Sequence, residues 1–171
     1  MKKDNWILKA FLMTFFIALF FNSISNIVIN NSGYLSLIFF SIFFILLGIF
    51  FDLVGTAVLT AKESTFHAKS SKKIKGSRQS VYLIKNSARI ASICNDVIGD
   101  ICGIVSGSIG AMLAIFLSNL THINLIYTTL IISSVISSLT VGGKAIGKKY
   151  AIKNSDKIIE KVGKCLSIFH K

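Results

Sequence analysis

The chain of 171 residues contains no proline, one tryptophan, three cysteines and only seven acidic side chains against 19 lysines and arginines. With no proline, no position is forced to stop or kink a helix. Cys94, Cys102 and Cys165 show no CxxC spacing and no grouping with histidine, which excludes a zinc finger, a redox pair or a disulfide framework. They read as reduced, small packing residues. His67, His122 and His170 are scattered, and no glycine-rich phosphate-cradling loop occurs. The phrase "IGD" at 98–100 lacks the leading glycine of an intramembrane aspartyl protease, and the chain has no Tyr-Asp dipeptide. No catalytic constellation emerges, and the expectation is that the protein is not an enzyme.

What the chain does have is apolar length. Hydrophobic residues make up 53% of it and gather into four runs, at 6–29, 34–61, 90–117 and 125–141. A helix needs about 20 residues to cross a bilayer. The expected fold is therefore an all-α membrane protein, with four transmembrane helices and juxtamembrane amphipathic helices. The first run carries Lys9 near its start and no small-residue cleavage motif, so it reads as a retained span and not a signal peptide.

Charge orients these spans. The N-terminus, the segment 62–89 and the tail from Lys144 hold three, eight and eight of the 19 basic residues, whereas the loops "NNSG" and "SNLTHIN" hold none. Basic residues concentrate on the cytoplasmic side of multi-pass proteins, so both termini are expected there. The formal net charge of +12 then faces an anionic inner leaflet, at about 1 kcal/mol per basic residue near the surface, and not nucleic acid. The Ile-, Lys- and Asn-rich composition suggests a bacterial plasma membrane.

Within 62–89, basic residues alternate with Phe66, Ile74, Val81, Leu83 and Ile84, a pattern for short amphipathic helices on the leaflet. From 155 onward, Ile158, Ile159, Val162, Cys165, Leu166 and Phe169 recur at helical spacing opposite Lys157, Lys161 and Lys164, with Ser155 as the expected cap. This tail helix either lies along the membrane or packs on the basic hairpin 62–89.

Three of the seven acids, Asp52, Asp96 and Asp100, fall inside the apolar runs. A carboxylate at bilayer depth costs roughly 2.5–3.5 kcal/mol, so such residues mark ion routes or buried pairs. By helical rise, Asp52 lies about 15 Å from Lys62 and Asp100 about 16 Å from Arg89, matching depths near the midplane. On the third span Ser92, Asp96, Gly99, Asp100, Gly103, Ser106 and Gly110 fall near one helical face. Gly99, Gly103 and Gly107 form a small-xxx-small run, which lets helices approach closely in lipid. Carboxylate and amide oxygens suit hard cations, so Asp52, Asn95, Asp96 and Asp100 are candidate ligands for Mg²⁺ or another divalent ion. The alternative is that Lys144 supplies an internal cation and neutralises one of the acids.

Several phrases resemble the transmembrane domain of the cyclin-M/CorB–CorC magnesium transport family. "FFDLVGTAV" at 50–58 leads into "VYLIKN" at 81–86 as the family's first span leads into its basic amphipathic helix. "SICNDVIGD" looks like the family's Gly-Asn phrase, with Asn95 on the family asparagine, and "GGKAIGKKYAIKNSDK" matches the spacing of its last phrase. The resemblance implies a helical bundle core at 34–154, preceded by an extra transmembrane helix at 1–33 and followed by a cytoplasmic tail helix at 155–171. It also implies a homodimer and divalent cation transport. The family's paired serines fall at Asp52 and Val54, its first glutamate at Gly55, its later glutamate at Lys144 and its proline at Gly147. No regulatory domain pair is expected after Lys171.

Overall fold

The computed structural model describes residues 6–31 and 33–169. Those residues form helices and no strand: α1 (Trp6–Asn31), α2 (Tyr34–Thr60), α3 (Glu63–Ser71), α4 (Ser77–Lys85), α5 (Ser87–Ser92), a π-helical segment (Ile93–Gly99), α6 (Asp100–Thr121) and α7 (Leu125–Phe169). Four stretches are long and apolar enough to cross a membrane: Trp6–Ile27, Tyr34–Thr60, Ser87–Thr121 and Leu125–Ile168. The all-helical membrane architecture follows from the length of the apolar runs alone.

The chain divides into two compact units, whose bounds do not follow the sequence divisions at 33 and 154. The first comprises Met1–Ile49 and Val97–Gly143. Its core is a run of large apolar side chains, with Leu37 and Phe44 of α2 packed on Val97, Ile101, Cys102, Val105, Ile109 and Leu113. From α1, Met13, Ile17 and Phe21 close over them, and Phe21 meets Phe44 edge to face at 5.8 Å. The opposite face of α1 exposes Phe11, Phe15, Leu19 and Phe20, as a lipid-facing surface would. Close helix approach occurs at Gly48, where an added Cβ would stand 3.1 Å from the Cys102 Cβ, and at Gly110, where it would strike Ile136. At Gly103 and Gly107 an added Cβ would meet nothing within 4 Å. These two glycines, with Ser133, Ile136, Ser137, Thr140 and Val141, line an open groove of about 260 Å³. Close helix approach within this unit thus occurs at Gly48, Gly110 and Gly143, where an added Cβ would strike Ile49, and not at the expected Gly103 and Gly107; Gly99 of that run is buried, its carbonyl oxygen 3.3 Å from a Cβ added at Gly48.

The second unit comprises Phe50–Asp96 and Lys144–Lys171. Here Val54, Ala57 and Val58 at the end of α2 are buried with Phe66, Leu83, Ile84, Ala151 and Ile159. The tail therefore packs on the 62–89 hairpin, the second of the two expected arrangements. The contact is close because Gly76 and Gly163 carry no side chain: a Cβ at Gly163 would lie 2.6 Å from the Gly76 carbonyl oxygen. Gly76 also adopts φ +85°, a conformation that side-chain-bearing residues avoid. Ser80 Oγ, fully buried, donates to the Ile159 carbonyl at 3.1 Å.

The tail is not a separate helix but the continuation of α7 past a kink at Asn154, whose φ of −123° and ψ of 23° are not helical. The Asn154 side-chain Nδ2 donates to the Tyr150 carbonyl at 3.2 Å, the acceptor that its own backbone N–H would use in an unbroken helix. Ser155 does not cap a helix; its Oγ donates to Thr60 O at 3.4 Å, and the Lys62 N–H donates to Asp156 Oδ1 at 3.0 Å. Farther on, Glu160 is held by Lys69 and Lys164, each at 2.7 Å, and these two ammonium groups pull its pKa down from 4.5 to about 2.

Candidate functional site

The site is built in the second unit, where the sequence places a carboxylate in the middle of an apolar helix. Asp52 has its side chain only 3% exposed. Its Oδ1 lies 3.5 Å from Nζ of Lys148, on α7, whose side chain is 51% exposed. Its Oδ2 is buried and has no hydrogen-bond partner. Gly55, one helical turn after Asp52 on the same face of α2, is where the π-helical segment packs. The space that a side chain at Gly55 would occupy is held by the Asn95 carboxamide oxygen, with the Cys94 Cβ 3.1 Å from the would-be Cβ. That Asn95 Oδ1 is also buried and without a hydrogen-bond partner.

An ionised carboxylate and an amide oxygen only accept hydrogen bonds. Two buried acceptors left unpaired in one unit are uncommon, because each carries a desolvation cost of roughly 1–3 kcal/mol. The chemistry that offsets such a cost is a donor or a cation. One carboxylate and one amide would fill only part of a Mg²⁺ shell, which normally retains several waters. Among the described residues no three His, Cys, Asp or Glu side chains gather as a metal cluster.

The other candidates are placed differently. Asp96 is exposed and belongs to the second unit; Asp100 opens α6, is exposed and belongs to the first. Lys144 is half-buried at the start of the second unit's share of α7. The lysine found on Asp52 is Lys148, one turn beyond Lys144 on the same helical face. The π-helical segment Ile93–Gly99 was not foreseen, and it breaks the 3.6-residue period used to draw a single stripe from Ser92 to Gly110. Such wide turns are frequent at functional sites.

Asp52 lies eighteen residues, about 27 Å of helical rise, past Tyr34 within the candidate span Tyr34–Thr60, and Val54, Ala57 and Val58 beyond it are buried in the second unit's core. Among the histidines, His67 pairs with Glu63 at 3.0 Å on the surface of α3 and His122 occupies the turn after α6, while His170 lies outside the described residues. No family model, curated protein or solved structure matches the chain.

Proposed function

We propose that this membrane protein binds a divalent, Mg²⁺-like cation at Asp52 and Asn95, as a transporter or a cation-binding protein. The observation that carries the reading is the pair of buried, unpaired oxygens, Asp52 Oδ2 and Asn95 Oδ1. The likeness of its phrases to the cyclin-M/CorB–CorC family supports the same chemistry and adds a homodimer. Asp96 is a further acid of the same unit, and Asp100 belongs to the other. The charge split supports both termini on the cytoplasmic side against anionic lipid, and the Ile-, Lys- and Asn-rich composition supports a bacterial plasma membrane.

The test is thermal stabilisation of the purified full chain by Mg²⁺, Ca²⁺ and Mn²⁺, with Na⁺ at equal ionic strength as reference. A divalent response in the wild type, reduced tenfold or more by Asp52→Asn, is the expected result. No response to any of the three divalent ions, in the wild type and in Lys148→Met alike, removes the reading. A second reading is a non-transporting interaction or regulatory protein whose site is closed by a lysine. It is favoured by the Lys148–Asp52 ion pair.

A further inference from the structure

The two partners of the Lys148–Asp52 pair differ in how freely each can leave it. At 3.5 Å the ammonium is farther from the carboxylate than the roughly 2.7–2.9 Å of a charge-assisted hydrogen bond. The same unit shows what a tight pair looks like, with Lys69 and Lys164 each 2.7 Å from Glu160. Lys148 is half exposed on a flexible stem, and its departure regains hydration and rotamer freedom. Asp52 is buried and has no such exit. Once Lys148 swings away, the buried carboxylate needs another positive charge beside it.

We infer that Lys148 is a tethered, displaceable cation that competes with an incoming divalent ion for the Asp52 carboxylate. Binding is then an exchange in which the ammonium moves out to water as the ion takes Asp52 Oδ1, Oδ2 and the Asn95 amide oxygen. A divalent ion gains from both oxygen types, whereas one ammonium at 3.5 Å leaves Oδ2 and the amide unmatched. This rests on the cation reading of the same site and adds its regulation. The apparent affinity of the site is set by a residue that is not itself a ligand, and it falls as the lysine's hold on Asp52 tightens.

The experiment measures the Mg²⁺ concentration that gives half-maximal thermal stabilisation of the full chain at constant ionic strength, in the wild type and in four variants. Lys148→Met is expected to lower that concentration about tenfold, within the usual span of coupling between linked sites. Lys148→Arg, which keeps the charge and forms a better fork to a carboxylate, is expected to raise it. Asp52→Asn is expected to abolish the response. Lys149→Met, on an exposed neighbour, controls for general electrostatics and is expected to shift the midpoint less than twofold. A response in Lys148→Met alone, with none in the wild type, also supports the competition and identifies the resting protein as closed. Equal midpoints in the wild type, Lys148→Met and Lys148→Arg overturn the inference while leaving the cation site standing. An equal shift in Lys149→Met and Lys148→Met overturns it too, by reducing the effect to surface charge. No divalent response in any variant overturns both the inference and the site.

Discussion

In the unit formed by 1–49 and 97–143, many polar side chains bond within their own helix, while the buried Ser25 Oγ has no partner. Thr14, Ser23, Ser106, Ser108, Ser133 and Thr140 each donate to a carbonyl three or four residues back on their own helix. In the unit formed by 50–96 and 144–171, polar groups reach across the sequence. Lys62 bonds Asp156, Lys69 pairs with Glu160, Ser80 bonds Ile159 and Ser155 bonds Thr60, over separations of 94, 91, 79 and 95 residues. A hydroxyl facing lipid has no water to turn to, and folding back on its own helix is the least costly solution. The second unit adds polar bonds between elements to its apolar core. Asp52 departs from both patterns, being buried like the first unit's core and yet only half matched.

The largest expected effect comes from breaking the second unit where its backbones touch. Gly163→Val would push a side chain into the Gly76 carbonyl and Ser80. Overpacking against backbone that cannot move aside should cost roughly 3 kcal/mol or more. The readouts are the melting temperature and the protease resistance of the 62–89 segment. Retained resistance at a wild-type melting temperature would show that the tail does not need this contact. Next comes Glu160→Gln, which removes a carboxylate shared by half-buried Lys69 and exposed Lys164 and should cost about 0.5–1 kcal/mol. Because the folded pKa is depressed to about 2 from an ordinary 4.5, this contribution is present above pH 4.5 and lost as pH falls toward 2. The difference in stability between wild type and Glu160→Gln should therefore shrink over that window; a constant difference would mean the lysines do not stabilise the charged form. The smallest effect is expected in the first unit, at Ser108→Ala, whose lost bond runs only to Ile104. A change within about 0.5 kcal/mol is the expectation for such a surface site. A loss above 1 kcal/mol would place Ser108 in a covered interface and blur the contrast between the units.

The four long helices were legible because an apolar run of about 20 residues is a local, additive signal that no distant contact can reverse. Asp52 and Asn95 stood out for a related reason: a polar group in such a run is visible wherever it points. The Lys148–Asp52 pair was not legible, since Lys144 and Lys148 share a helical face and only tertiary register decides which of them reaches Asp52. The π-helical segment carries no characteristic residue type, so a stripe drawn at 3.6 residues per turn ran straight through it. Gly103 and Gly107 show the same limit in another form. Their spacing signals that close approach is possible, but the chain's own helices use Gly48, Gly110 and Gly143.

The fit of Asn95 into the hollow above Gly55 has a consequence for the protein's evolution. The two positions share one volume, so neither can grow unless the other shrinks. A lineage that placed a glutamate at 55 would have to carry something as small as glycine or alanine at 95, and an intermediate with both large would be selected against. Oxygen donors would then pass from one helix to the other in correlated pairs of substitutions, and the same cradle could be kept while the residue supplying it changed address.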